Sequence, residues 1–201
     1  MSKIGIFGGT FNPIHNGHVL LAKYCKEELD LDKVLLIPTY SPPHKVSADL
    51  ANETDRLNMC RIVCKNLEGF EVLDIEIRRK GKSYSYQTLT SLKEIYHNDD
   101  LYFMMGADMF LSLDKWKNPE IIFQKASIIA VPRDISSVNE LEYYYKNVIA
   151  PMGATAHILQ NSVMQVSSTY VRENIENYNI VKDLIDSRVY DYITANNLYR
   201  M

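Results

Sequence analysis

Long apolar runs are missing from this 201-residue chain. None approaches the ~18 consecutive apolar residues of a membrane-spanning helix, so no membrane partner is expected. An excess of positive charge is missing too. Lys and Arg number 22 against 25 Asp and Glu, a net charge of −3, which argues against nucleic acid or an anionic lipid surface as partner. A small anionic ligand needs only local charge and stays open. Cysteine is scarce and odd in number, with three residues: Cys25, Cys60 and Cys64. No disulfide framework follows from that pattern. Cys60 and Cys64 are four apart and could share a helix face, but no further metal ligands stand near them, so the expectation is buried apolar thiols and no protein metal site. The first residues carry a short apolar run without a cleavage-site pattern, and a reducing cytoplasm is the expected compartment. Repeats, low-complexity tracts and linkers are absent, so residues 1–201 are read as a single domain.

What is present is ordinary for a globular protein: 46% hydrophobic and 23% charged residues, enough for a core that hides roughly 70% of the unfolded surface. Short apolar runs at Lys3–Gly8, Val34–Ile37, Phe70–Ile77, Leu101–Met105, Ser127–Val131 and Ala156–Leu159 read as strands. Between and after them, Asn16–Leu29, Thr54–Leu67 with Thr54 as a possible N-cap, Ser85–Tyr96, Asn118–Gln124, Glu140–Asn147, Ser168–Ile175 and Ser187–Asn196 read as helices. The alternation predicts an α/β fold with a mainly parallel sheet flanked by helices. In such sheets ligands sit outside the carboxyl ends of the strands. The segments that follow strands, Gly8–His18, Pro38–Lys45, Gly106–Asp108 and Pro132–Arg133, are therefore expected to share one edge.

The first of these segments reads GGTFNPIHNGH. Gly5, Gly8 and Gly9 have the wrong spacing for a dinucleotide fingerprint, and no lysine follows Gly17 as a phosphate loop would require. The context is nevertheless strand, glycine turn, helix. Glycines let a backbone approach a ligand closely, and a helix N-terminus presents free N–H groups to phosphate. His15 and His18 are three apart, which makes them neighbours on a first helical turn, able to donate to one phosphate. Gly17 between them leaves room for a flat base. A tight turn capped by one histidine would explain less of the string.

Residues 8–18 are similar to the G-G-T-F-[DN]-P-[IV]-H-x-G-H signature of the H-x-G-H nucleotidyltransferase superfamily, and Ser167-Ser168-Thr169-Tyr170-Val171-Arg172 to its late S-S-T-x-[IV]-R motif. Three more segments resemble the nicotinate mononucleotide adenylyltransferases: Ser41-Pro42-Pro43-His44-Lys45, Arg78 to Ser85, and Gly106-Ala107-Asp108 followed by Trp116. Ser85 stands where that family usually has Thr, and Lys117 where it often has an aromatic. The resemblance covers essentially the whole chain. It implies a Rossmann-like nucleotidyltransferase fold and transfer of the adenylyl group of ATP to nicotinate mononucleotide, giving deamido-NAD and pyrophosphate.

The resemblance also implies roles. His15, His18 and Arg172 are the expected catalytic residues, with His18 the first choice for the transferring α-phosphate. Gly8, Gly9, Thr10, Phe11, Gly17, Gly106, Asp108, Ser167, Ser168 and Thr169 are expected to bind ATP. Asp108 would accept from ribose hydroxyls; its alternative is a helix N-cap. His44, Lys45, Tyr84, Ser85, Trp116 and Lys117 are expected at nicotinate mononucleotide, Lys45 on its phosphate and Trp116 stacked on its pyridine ring, with core packing as the alternative for Trp116. Mg²⁺ is expected to arrive bound to ATP. Oligomeric state is left open, a homo-oligomer included.

Overall fold

The computed structural model describes residues 1–42, 49–164 and 166–199. Its elements in chain order are β1 (Lys3–Gly9), α1 (Asn16–Glu28), β2 (Lys33–Pro38), α2 (Glu53–Cys64), β3 (Phe70–Val72), α3 (Ile75–Arg79), α4 (Ser85–Ile95), β4 (Asp100–Gly106), α5 (Ala107–Phe110), α6 (Pro119–Lys125), β5 (Ser127–Val131), α7 (Val138–Tyr144), β6 (Ala156–Ile158), α8 (Ser168–Glu173), α9 (Tyr178–Val181) and α10 (Ser187–Ala195). The six strands form one parallel sheet in the order β3-β2-β1-β4-β5-β6. That order reverses direction at β1, the switch point beside which doubly wound sheets take their ligands. The expected α/β, mainly parallel architecture is the one observed.

The chain packs as two compact units. The first comprises Met1–Phe7, Leu21–Leu35 and Tyr84–Val163. In it, Ile4 lies opposite Leu101 and Ile6 opposite Phe103, and β4 continues the ladder onto β5 from Tyr102↔Ser127 to Gly106↔Val131. Ile4, Ile6, Ile128, Ile129 and Ala130 are all at 0–1% exposure. Consecutive rather than alternating burial is what a parallel strand covered on both faces requires. Each such Ile is worth about 1.5–3 kcal/mol of burial. Gly5 belongs to this packing: a Cβ there would stand 2.5 Å from Met104 Cε and 2.9 Å from Leu31 Cδ1. Pro119 opens α6 at its first turn, where a missing N–H costs nothing.

The second unit comprises Gly8–Leu20, Leu36–Ser83 and Met164–Met201. Its helix α2 buries Arg56, Leu57, Met59, Cys60, Val63 and Cys64, an apolar stripe at helical spacing with one cation in it. In α10, Val189 and Ile193 are buried one turn apart, and Asp186 caps the helix by accepting from Arg188 N. Cys25, Cys60 and Cys64 are free and buried, as expected. Burial pushes the Cys25 and Cys64 thiols up to about 12 and raises that of Cys60 as well.

Two expectations need correction. The apolar run Phe70–Ile77 is not one strand: β3 stops at Val72 and residues 75–79 turn as a helix. The alternation of Ile75 and Ile77 suggested a pleat, but the buried residue between them is Glu76. Thr54 does not cap α2; Asn52 does, its Oδ1 accepting from Asp55 N at 2.8 Å, and an amide is a stronger cap than a threonine. The short helices α5 and α9, each of four residues, were not anticipated.

Candidate active site

The strand β1 ends at Gly9 and the chain enters a tight turn. Phe11 takes φ 49, a left-handed conformation unusual for an aromatic residue, and is buried at 2% exposure. Its ring meets the His18 ring edge-on at 5.1 Å. The turn is held from several sides through Asn12. Its Oδ1 accepts from Ala51 N at 3.0 Å and from the Tyr199 hydroxyl at 2.7 Å. Its Nδ2 donates to Asp49 O, and its carbonyl accepts from Arg172 Nη1 at 2.9 Å.

His15 precedes α1 and His18 lies on its first turn. The main-chain N–H of His15 donates to His18 Nδ1 at 3.2 Å, and that of His18 donates to His15 Nδ1 at 3.3 Å. This is a capping box built from two imidazoles, with each ring satisfying the other residue's orphan N–H. The rings stack with centroids 3.5 Å apart and 15° between planes. An Nδ1 that accepts carries no proton, so in each ring the proton sits on Nε2. The pair therefore stacks two near-parallel rings, each with its donor at Nε2. Burial holds the His15 pKa down to about 4, so this ring is neutral at pH 7. Gly17 between them is buried because the chain itself passes there: a Cβ would meet Met164 O at 3.0 Å and Val166 Cβ at 3.2 Å.

The late motif starts α8. Ser167 caps that helix by accepting from Tyr170 N, Ser168 Oγ donates to Pro13 O at 3.1 Å, and Arg172 Nη2 donates to Thr169 Oγ1 at 3.3 Å. Motifs more than 150 residues apart in sequence thus meet within the second unit: Arg172 and Ser168 on one side, Asn12, Pro13 and the histidine pair on the other. The same unit joins the Ser41 segment to Lys82 and Ser83. Ser83 N donates to Ser41 O at 2.9 Å and Tyr40 N to Ser83 Oγ at 3.0 Å. His44 and Lys45 lie outside the described residues.

The first unit carries the remaining candidates. Gly106 closes β4, and a Cβ built on it would meet nothing within 4 Å. Gly106 itself is the N-cap of α5, so Asp108 does not fill the capping role considered for it. Asp108 is exposed and ion-paired with Arg133, which follows β5. Tyr84 precedes α4 and Ser85 begins it. The Lys117 ammonium lies 4.5 Å over the Tyr84 ring, a cation–π geometry. Trp116 is half-buried, edge-on to Phe103 at 6.2 Å, and donates through Nε1 to Ser112 Oγ. Three residues that hydrogen-bond to the turn after β1 or within it, Asn12, Arg56 and Tyr199, were not assigned a role from sequence. Arg56 left one trace: it sits in the apolar stripe of α2 at the position where Met59, Cys60 and Val63 complete the pattern.

Among the described residues, no three His, Cys, Asp or Glu side chains cluster to hold a metal ion. Among the same residues, no helix is long and apolar enough to cross a membrane.

A parallel sheet of this order, with paired imidazole donors at the start of the first helix, defines a class. Residues 6–174 match the cytidylyltransferase-like family model, and the chain belongs to that family. Its full-length relatives narrow the class further. A "Probable nicotinate-nucleotide adenylyltransferase" of Clostridium tetani is 37% identical over 100% of both chains, and one of Carboxydothermus hydrogenoformans is 37% identical over 99% of this chain and 98% of that protein. Among solved structures, the Plasmodium falciparum nicotinic acid mononucleotide adenylyltransferase complexed with NaAD superposes with a TM-score of 0.79 over 99% of this chain and 98% of its own, at 21% identity.

Proposed function

We propose that this chain transfers the adenylyl group of ATP to the 5′-phosphate of nicotinate mononucleotide, releasing pyrophosphate and forming deamido-NAD. The observation that carries the reading is the stacked, mutually capped His15–His18 pair, whose Nδ1 atoms accept and leave the donor of each ring at Nε2. An acceptor phosphate oxygen attacks the α-phosphorus in line, a new P–O bond forms, and the bond to the β-phosphate oxygen breaks. No covalent enzyme intermediate and no general base are needed, because the acceptor phosphate is already anionic at neutral pH. Catalysis reduces to alignment and to stabilising charge on the transferring group.

His18 donates to the α-phosphate and His15 to its neighbour. Neutral donors suit this work, since a hydrogen bond stabilises the developing charge without a counter-charge that would trap the polyanionic product. Gly8, Gly9, Thr10 and Phe11 form the turn around the phosphates, with the first turn of α1 at Gly17 beside it. Ser167, Ser168 and Thr169 line the start of α8, and Arg172 faces the leaving pyrophosphate. Gly106, open where a Cβ would stand, admits the adenosine, and Asp108 accepts from its ribose once Arg133 yields. Mg²⁺ enters as part of the substrate, Mg-ATP, held by the phosphates and water.

Lys45, with His44, takes the acceptor phosphate, and Trp116 covers the pyridine ring. The first N–H groups of α4, at Ser85 and Tyr86, precede its hydrogen-bond ladder. Together with the Lys117 charge beside Tyr84 they favour a carboxylate, which only accepts, over an amide. The whole of residues 1–201 acts as one domain, working in the cytoplasm. Pyrophosphate release from Mg-ATP tests the reading, with the acid and amide mononucleotides compared and His18→Ala as control. Turnover with the acid form that the variant loses supports it; no release with either acceptor overturns it.

A further inference from the structure

Among the described residues, Arg56 is the one cation with a fully buried side chain, at 0% exposure. Its hydrogen-bond partners are three main-chain carbonyls: Nε donates to Ala51 O at 3.0 Å, Nη1 to Thr10 O at 2.8 Å and Nη2 to Tyr40 O at 2.9 Å. Burial lowers its pKa, but a guanidinium starts so high that it stays charged. A buried charge is expensive to desolvate, and packing α2 onto its neighbours does not require one.

The three carbonyls come from three places in the chain. Thr10 belongs to the turn that follows β1. Tyr40 and Ala51 bracket the stretch 41–50, which carries Lys45 in sequence. Thr39 N also donates to Gly9 O at 2.9 Å, so the two segments are tied twice. One planar cation therefore connects the turn assigned to the ATP phosphates with both ends of the stretch assigned to the acceptor phosphate.

We propose that Arg56 is a positioning residue for adenylyl transfer: its guanidinium sets the separation between the Gly8–Phe11 turn and the two residues Tyr40 and Ala51, and thereby the alignment of acceptor oxygen and α-phosphorus. The proposal rests on the function given above. It needs the fork geometry. A lysine offers its donors from a single point and cannot reach three carbonyls in three directions.

The test uses the full chain as wild type, Arg56→Lys and Arg56→Ala. In Arg56→Lys the circular dichroism spectrum stays native, and affinity for a non-hydrolysable ATP analogue, read by calorimetry, stays within about threefold. kcat falls about 100-fold, the scale of a small misalignment of reacting groups. Methylguanidinium restores kcat to Arg56→Ala and methylammonium does not. Amide hydrogen exchange at Thr39 and Tyr40 quickens about tenfold in Arg56→Lys, with Leu101–Met105 unchanged. A kcat within about threefold of wild type, a loss confined to KM, or no variant with a native spectrum would each overturn the proposal, the last because Arg56 would then be a core residue and nothing more. Absence of turnover in the wild type would overturn the reading of function and this proposal together; wild-type turnover with an intact Arg56→Lys kcat overturns this proposal alone.

Discussion

The His15 ring makes acid sensitivity a direct test of the site's geometry. Its pKa lies near 6.5 in the unfolded chain and is held to about 4 in the native one by burial. Between those values the unfolded chain binds a proton that the native chain refuses, so stability falls as pH drops through 6.5 and the loss is complete below about 4. Linkage gives about 2 kcal/mol lost between pH 7 and pH 5 from this ring alone, and about 3 kcal/mol in all. The perturbation is His15→Asn. Asparagine does not titrate, and as a strong N-cap its Oδ1 can accept the His18 N–H that His15 Nδ1 now accepts. Urea unfolding of both proteins at pH 7 and pH 5 isolates the ring, because every other titrating group is common to the two and cancels. The variant should match wild type at pH 7 within about 1 kcal/mol and lose about 2 kcal/mol less on going to pH 5. Equal losses in the two proteins would refute the buried, neutral assignment of His15.

Other perturbations probe separate parts. His18→Ala should lower kcat about 10²–10³-fold, the scale of one lost transition-state donor, and lower stability by about 1 kcal/mol through the lost cap; steady-state kinetics with a thermal melt reads both. Lys117→Ala should weaken nicotinate mononucleotide binding more than nicotinamide mononucleotide binding, and equal losses by calorimetry would end the charge argument. Gly5→Ala should destabilise by about 1–3 kcal/mol through overpacking against Met104 and Leu31, seen as a shifted urea midpoint. Cys25, Cys60 and Cys64, buried with raised pKa values, should ignore a thiol reagent at pH 8 in the native protein and all react in urea.

Legibility in the sequence followed the range of the interactions. The β1 run, the glycine turn and the His15–His18 spacing were readable because periodicity and turn chemistry act within a few residues. The strand series was readable for the same reason, while the order β3-β2-β1-β4-β5-β6 is a finding of the fold. Phe70–Ile77 was misread because Ile75 and Ile77 alternate as a strand would, while the tertiary environment buries Glu76 between them and turns the chain into α3. The contact between Asn12 and Tyr199 was not legible because the two residues lie 187 apart in sequence. Arg56 escaped notice because charge in a helix normally means solvent, and nothing local announces three waiting carbonyls. Arg133 was flagged only by its place after β5; its partner Asp108 is a finding of the fold.

The imidazole cap of α1 also bears on how such a sequence changes over generations. The groups assigned to the chemistry are the same groups that satisfy the helix's first N–H donors. A substitution that removes a ring and supplies no other cap acceptor therefore meets two penalties at once, one in turnover and one in folding. Selection for a folded chain alone would disfavour all but capping replacements at these positions, so the reactive pair is guarded by a second pressure that operates even where substrate is scarce.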